Sequence, residues 1–202
     1  WVVAGGIEMM SRVAMLSDQP VAFTDKDLAK TLGMYMMGNG ADFVATAQQV
    51  SRQQADAVAL MSQQRAAYAR KHGFFKSIIA IDNSVTGQRV EHDEIIRDNT
   101  TSESLAAMLP SFTQAPWADE AQLADLTGYD AITHIHTAGN SPAMADGASA
   151  LLIGSLEAGE LLNIKPRARI RAMINVNDDN RAVVAGCVAA TKALLRQEDL
   201  NV

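Results

Sequence analysis

The side chains best suited to chemistry are one cysteine and two closely spaced histidines. Cys187 is the sole cysteine of the 202 residues, and a thiol can serve as a nucleophile. It stands on the apolar stripe of a predicted helix, so we expect a buried thiol that packs as a small hydrophobe. His134 and His136 share one face of a predicted strand. Zinc needs further ligands, and no second cysteine can supply one, so we predict no metal site.

Two charged residues, Glu8 and Arg97, invite two interpretations each. Glu8 follows Gly5 and Gly6 and could act as an acid, although a structural role is the expectation. Arg97 follows Asp93 and Glu94, which could hold its stem in place. A guanidinium group suits phosphate binding or stacking, but an arginine at the surface can also be an ordinary solvated residue. The residue types alone leave both alternatives open.

The stretch that such side chains would surround runs from Thr137 to Ser155. Its first half contains Gly139, Asn140 and Gly147, which favour tight turns and leave room for a ligand or another backbone. The apolar run that follows predicts a strand buried on both faces. The sequence therefore predicts a glycine-containing bend that leads into a core strand.

The remaining elements follow from caps and apolar spacing. Ser51 with Gln54 forms a capping box before the most regular apolar stripe, which ends at Gly73. Similar boxes at Thr24 and Thr100 predict shorter helices, and an acid at 178 or 179 is expected to cap the last helix. The predicted helices cover residues 25–37 (stopped by residues 38–40), 41–50, 52–72, 101–109, 118–126, 156–162 and a last segment before 198. Residues 1–4 are predicted to be the end of a strand, and further strands are predicted at residues 77–81, 131–136, 148–155 and 168–176.

Composition excludes some classes of function. The chain is 48% hydrophobic and 20% charged, which is ordinary for a globular protein. A net charge of -6 without a basic block argues against a nucleic-acid surface, and no apolar run reaches the length of a membrane span. One cysteine fits a reducing compartment, so we expect a cytoplasmic location. The chain opens within a predicted strand, and we expect it to be a part of a longer protein.

The literal residues resemble the thiolase family of acyl-CoA acyltransferases. The bend and strand resemble the T-A-G-N and D-G-A-x-A-L-L segments of thiolases, and residues 4–12 resemble A-G-G-x-E-x-M-S. Further blocks follow in the family's order over nearly the whole chain. These blocks are M-G-x-T-A-E at 37–42, S-R-x-x-Q-D-x-x-A-x-x-S at 51–62, F-K-x-E-I at 75–78, D-E-x-x-R at 93–97 and T-x-x-x-L-A-x-L-x-P-x-F at 101–112.

This resemblance implies an α/β fold with α-β-α-β-α layers. Residues 1–12 would end the N-terminal core and residues 13–144 would form an inserted loop domain that covers CoA. Residues 145–166 would complete the N-terminal core and residues 167–202 would begin the C-terminal core. The loop-rich character of the long middle segment, between two more regular ends, is consistent with such an insertion.

The resemblance also implies a function. Thiolases cleave or condense 3-ketoacyl-CoA in fatty-acid or related acyl-CoA metabolism, through an acyl group bound to a cysteine. The family's nucleophile and its other catalytic segments match no position here, so we expect no catalytic residue in this chain and little activity from it alone. The alternative is a thiolase-like protein that binds CoA or lipid without turnover.

Residue by residue, the resemblance predicts several contacts with CoA. Arg97 matches an arginine beside the nucleotide, Ser104 a serine near the adenine, and Ala138 a backbone contact in the bend. Met37 matches a methionine at the acyl end, and Ser141 could replace the bond of a serine where this chain has Pro142. The implied partners are CoA and acyl-CoA as substrates, with no further cofactor, nucleic acid or membrane. The implied assembly is a homodimer or homotetramer.

Overall fold

The computed structural model describes residues 1–113 and 120–201, which contain mostly helices and a few short strands. The strands are β1 (Val2–Glu8), β2 (Ile81–Asp82), β3 (Arg89–Val90) and β4 (Gly147–Ile153). The α-helices are α1 (Val21–Thr24), α2 (Lys26–Leu32), α3 (Met37–Ala47), α4 (Arg52–Lys71), α5 (Ser102–Ala106), α6 (Glu120–Thr127), α7 (Leu156–Leu161) and α8 (Gly186–Gln197).

The chain divides into two compact units, whose boundary within α3 lies between Gly40 and Ala41. The first unit combines Trp1–Gly40 with Met144–Val202, and the second is Ala41–Ala143. The four predicted domain segments were defined by resemblance and stay a prediction. In the described part of the chain, no helix is both long and apolar enough to cross a membrane.

Strands β1 and β4 form an antiparallel ribbon in the first unit. Its register runs from Val2 opposite Ile153 to Glu8 opposite Gly147. The predicted end of the first strand at residue 4 is wrong, because Gly5 and Gly6 do not form a bend but continue the strand to Glu8. The prediction of a strand from residue 148 is confirmed, but its predicted burial is wrong. All seven residues of β4 are exposed, since β1 and β4 pair only with each other among the described strands.

The first helices end at a different glycine from the one predicted. Helix α2 stops at Gly33, which adopts a φ of 63° and donates its N–H to the carbonyls of the preceding turn. Its N-cap is Asp25 rather than Thr24. Gly38 and Gly40, predicted to stop a helix, lie inside α3 instead. The small size of Gly40 allows close packing at this point, because a Cβ atom would lie 3.1 Å from Cβ of Val183.

Helix α4 confirms the prediction made from its capping box. The hydroxyl of Ser51 accepts the N–H of Gln54, and the side chain of Gln54 accepts the N–H of Ser51. Gly73 follows the helix with a φ of 67°. The apolar stripe of this helix is only partly covered by other residues, since Val58 is 61% exposed.

Three strand predictions are wrong, because alternation of side chains does not by itself supply a hydrogen-bonded neighbour. Residues 77–81 contribute only Ile81 to a two-residue ladder, and residues 131–136 and 168–176 belong to no strand. In residues 131–136, side chains take the place of a neighbouring strand: the N–H of Thr133 is donated to Oγ1 of Thr46 and that of Ile135 to the carboxylate of Asp42.

The remaining helices lie close to the positions predicted from the sequence, but the predicted burial agrees less well with the structure. Helix α7 begins after its N-cap Ser155, within one residue of the predicted span. Asp179 caps a turn of 3-10 helix, Asn180–Ala182, rather than α8. Cys187 on α8 is exposed, so the predicted core position is wrong. Residues 118 and 119 of the predicted helix 118–126 lie outside the described residues, and α6 accounts for the rest.

The better developed core belongs to the second unit. Its buried apolar side chains come from α3, α5, α6 and the extended segment before Thr137. They are Phe43, Ala45, Leu105, Leu123, Ile132 and Ile135. Buried Asp42, Asp56 and Thr137 lie in the same unit, so polar groups help to fix its shape.

Candidate functional site

The bend that follows residue 136 is a compact turn closed by its own side chains. Thr137 is fully buried, and its hydroxyl accepts the N–H of Gly139 at 3.2 Å and of Asn140 at 3.3 Å. The side-chain oxygen of Asn140 accepts the N–H of Thr137 at 2.8 Å. Ala138 is exposed at the tip of this turn. A ligand could therefore reach the backbone of Ala138 without entering the core.

An acidic side chain of α4 anchors this turn. Nδ2 of Asn140 donates to Oδ1 of Asp56 at 2.9 Å and also to the carbonyl of Ile135 at 3.1 Å. The other carboxylate oxygen, Oδ2 of Asp56, accepts Nε of Arg52 at 2.8 Å. Asp56 is only 8% exposed, so these partners replace the water that a carboxylate would otherwise bind.

The same arginine reaches the end of α5. One guanidinium nitrogen of Arg52 donates to the carbonyl of Leu105 at 2.5 Å and to that of Met108 at 3.0 Å. These carbonyls lie where a helix runs out of backbone donors. Gly139 packs against the side chains of the same two residues: a Cβ atom there would lie 2.6 Å from Sδ of Met108 and 2.7 Å from Cδ2 of Leu105. The turn and α5 are thus held side by side.

A second buried carboxylate fixes the chain just before the turn. Oδ2 of Asp42 accepts Nδ1 of His134 at 2.8 Å, and Oδ1 accepts Nδ1 of His136 at 2.6 Å. Oδ1 also accepts the N–H groups of Ile135 and His136 at 3.0 and 3.1 Å. Burial alone would raise the pKa of the Asp42 carboxyl, but these hydrogen bonds, led by that of His136, hold its pKa below the usual value.

This arrangement answers the question about the two histidines. They do share a face, as predicted, but they use it to bind Asp42. Among the described residues no group of three or more histidine, cysteine and acidic side chains could hold a metal ion. Glu8 is exposed, and its carboxylate accepts the N–H of Met9.

Ser104 belongs to the cap of α5. Its N–H is donated to Oγ1 of Thr101 at 3.1 Å, and its hydroxyl accepts the N–H of Thr101 at 3.0 Å. The predicted cap at Thr100 is therefore wrong by one residue, since Thr100 instead donates its hydroxyl to the carbonyl of Arg97. The backbone N–H of Ser104 is thus engaged within the cap, and its hydroxyl also donates to the carbonyl of Thr101 at 2.9 Å. Its exposed hydroxyl stays a candidate contact.

Arg97 lies on the surface in the irregular segment that leads to α5. Its backbone N–H is donated to Oε1 of Gln63 at 2.8 Å, which ties the segment to α4. The expected support from the preceding acids is absent among the described contacts, because Asp93 accepts the N–H of Ile95 instead. Arg70 is engaged by Asp98 at 2.7 Å. The guanidinium group of Arg97 has no hydrogen bond or ion pair within the described residues, so it can meet a ligand.

The structure brings four of the five predicted contact residues onto neighbouring segments of the second unit. Ala138 and half-buried Ser141 belong to the turn and the residue after it, and the turn packs on α5. Ser104 lies on α5, and Arg97 is linked to the cap of that helix through Thr100. Met37 is 62% exposed at the start of α3 and belongs to the other unit.

Sequence reasoning missed the residues that organise this site. Arg52 and Asp56 stand four apart on α4, and such a pair of opposite charges is usually a solvated surface pair. Asp42 stands where the family block at 37–42 has a glutamate, and nothing near it in the sequence indicates that it is buried. The remote partners, Asn140 and the two histidines, lie more than eighty residues away in the chain, so no local pattern connects them.

Comparisons with known proteins agree with this architecture. The first unit contributes residues on both sides of a second unit in the chain, and buried carboxylates in that second unit hold a turn beside a short helix. This arrangement defines an α/β protein with an inserted unit. Residues 1–125 match the family model described as Thiolase, N-terminal domain. Since that match covers more than half of the sequence, the chain belongs to the thiolase family.

Relatives and solved structures extend the match to the whole chain. A 3-ketoacyl-CoA thiolase of Serratia proteamaculans is 36% identical over 98% of this chain and 48% of its own length. One from Escherichia coli is 34% identical over 99% and 48%, respectively. The crystal structure of human mitochondrial 3-ketoacyl-CoA thiolase in complex with CoA is 28% identical, with a TM-score of 0.75 over 99% of this chain and 49% of that one. The chain thus spans about half the length of these relatives.

Proposed function

We propose that the protein to which this chain belongs is an acyltransferase that cleaves or condenses 3-ketoacyl-CoA through a cysteine-bound acyl group. The observation that carries this proposal is the match to 3-ketoacyl-CoA thiolases over 98% of the chain. CoA and acyl-CoA are then its substrates. We place the reaction in fatty-acid or related acyl-CoA metabolism.

In this proposal the chain contributes contacts to CoA rather than to the reacting atoms. Arg97 faces the phosphates or adenine, Ser104 lies beside the adenine, and Ala138 with Ser141 lines the path of the pantetheine chain. Met37 shapes the acyl end. The exposed guanidinium of Arg97 supports the first assignment, because CoA is a polyanion and the chain as a whole carries a net charge of -6.

We also propose a homodimer or a dimer of dimers, located in the cytoplasm. The dimeric peroxisomal thiolase of Saccharomyces cerevisiae has the same fold, with a TM-score of 0.76 at 24% identity. Its assembly is a property of that protein and suggests what to look for here. The single cysteine of this chain fits a reducing compartment.

Replacement of Arg97 tests the proposal. In the full-length protein, Arg97→Ala should raise the KM for CoA in thiolysis roughly tenfold to a hundredfold, as expected for the loss of one charge-assisted contact. The kcat should change little, because the lost contact binds ground state and transition state alike. Steady-state kinetics at varied CoA concentration measure both constants.

Arg89→Ala provides a matched control in the same unit. Arg89 is exposed like Arg97, but its guanidinium is engaged by Asp82 at 2.9 Å and by Glu91 at 2.7 Å. This variant should leave the KM for CoA unchanged. If the full-length protein binds CoA without turnover, it is the non-catalytic alternative. If Arg97→Ala lowers kcat and leaves the KM for CoA unchanged, Arg97 belongs to the scaffold and not to the CoA site.

A further inference from the structure

One buried carboxylate connects the two segments on which the proposed CoA contacts stand. Oδ1 of Asp56 holds Asn140 of the turn, and Oδ2 holds Arg52, which in turn binds two carbonyls at the end of α5. The turn carries Ala138 and is followed by Ser141, and α5 carries Ser104. Asp56 itself is nine-tenths buried and is placed behind both segments.

We propose that Asp56 is a positioning residue for CoA, which sets the distance between the turn at Ala138 and the helix at Ser104. This inference rests on the proposed function. The carboxylate of Asp56, together with Arg52 and Asn140, keeps the two separate contacts at the spacing that one extended ligand requires.

The chemistry of the position requires a carboxylate. An ionised aspartate only accepts hydrogen bonds, and here both of its oxygens meet donors. An asparagine of the same shape would turn an NH2 group toward either the amide of Asn140 or the guanidinium of Arg52. One of the two links would therefore be lost in a place from which water is excluded.

The geometry of the turn makes this connection stiff. Asn140 uses both ends of its amide, since Nδ2 donates to Asp56 and the oxygen accepts the N–H of Thr137. Gly139 leaves no free space between the turn and the side chains of Leu105 and Met108. A shift of Asp56 is thus transmitted to the backbone on both sides of Ala138, where a small displacement matters for an oriented ligand.

The first experiment is Asp56→Asn in the full-length enzyme. The KM for CoA should rise roughly twofold to thirtyfold, the range found when a residue acts on a site through its neighbours, while kcat stays within about twofold. The matched control is Ser51→Ala, which removes the N-cap of the same helix and destabilises it without touching the turn or α5. This control should lower the unfolding temperature and leave the KM for CoA unchanged.

Two further variants test the link from Asp56 to α5 and the link from Asp56 to the turn separately, and they guard against misfolding. Arg52→Lys keeps a charge beside Asp56, but it has one nitrogen in place of the two with which Arg52 binds Asp56 and the carbonyls of α5, so it should raise the KM for CoA with milder effects on folding. The reciprocal exchange D56N/N140D restores a donor and an acceptor between α4 and the turn. It should recover part of the affinity lost in D56N alone.

The outcomes distinguish this inference from the function on which it rests. If Arg97→Ala raises the KM for CoA but Asp56→Asn and Arg52→Lys lower only thermal stability, Asp56 is a purely structural residue and the inference is overturned. The same holds if Ser51→Ala raises the KM as much as Asp56→Asn does. A full-length protein that neither binds nor turns over CoA overturns both proposals.

Discussion

At the scale of single residues, the second unit depends on carboxylates placed where water does not reach. Asp42 is completely buried, and its oxygens accept four hydrogen bonds from His134, Ile135 and His136. A buried charge is tolerated only when such partners replace its hydration. These bonds hold the extended segment before the turn, which has no partner strand among the described residues.

Asp42 should make the stability of this protein sensitive to acid. Burial opposes ionisation, but the hydrogen bonds led by His136 lower the pKa of Asp42 in the folded state. Its contribution to the free energy of unfolding is therefore full above the unfolded pKa of an aspartate and is lost as pH falls through the lower folded pKa. Urea unfolding between pH 7 and acid should show this loss in the wild type.

The loss should be much smaller in Asp42→Asn, which is already less stable at neutral pH and lacks the titrating group. A wild-type and a variant protein with parallel stability curves below pH 5 would contradict this role of Asp42.

At the scale of elements, glycines at strand and helix positions show how packing overrides local pattern. Gly5 and Gly6 both lie in β1, yet only Gly5 faces its partner strand closely. A Cβ atom on Gly5 would overlap the carbonyl oxygen of Ser149, whereas one on Gly6 would meet nothing within 4 Å. The neighbouring glycines are thus a natural matched pair.

Gly5→Ala should destabilise the β1–β4 pairing by about 1–3 kcal/mol, the usual range for a side chain forced into occupied space. Gly6→Ala should be neutral or slightly stabilising, because alanine restricts the unfolded chain more than glycine does. Chemical denaturation of the full-length protein measures both changes. Equal destabilisation by the two substitutions would contradict the register of the ribbon.

The same elements show what the sequence could and could not predict. Helix α4 was predicted almost to the residue, because the Ser51–Gln54 box and Gly73 act within a few residues of the helix ends. The segment 131–136 was predicted as a strand because its side chains alternate, which is a local pattern. Its actual hydrogen-bond partners, Asp42 and Thr46, belong to α3, and a local pattern cannot show them. Four predicted CoA contacts lie on adjoining segments, but the residues that join them are remote in sequence.

At the scale of the whole molecule, the described part of the chain offers little for acyl transfer. Its one cysteine is exposed on α8, where Sγ approaches only the carbonyl of Val184, at 3.7 Å, among the described contacts. A cysteine nucleophile needs an adjacent base or another activating group. The 202 residues expressed by themselves should therefore show no thiolysis of acetoacetyl-CoA above background.

The fall in absorbance of the acetoacetyl-CoA enolate, or the consumption of the free CoA thiol, gives the measurement, and Cys187→Ser gives the control. The two preparations should be indistinguishable. Turnover that disappears with Cys187→Ser would identify Cys187 as a nucleophile and contradict the view that this chain contributes contacts to CoA only.

The pairing of β1 with β4 has a consequence for synthesis on the ribosome. Glu8 lies opposite Gly147, so β1 leaves the ribosome long before its partner exists. At about 5–20 residues per second, the delay is on the order of ten seconds. Residues 41–143, made in the interval, have a core of their own and can fold first. A chain that ends after residue 143 and is released from the ribosome should therefore contain a protease-resistant centre and an unprotected β1, which makes this strand one of the last elements to gain its partner.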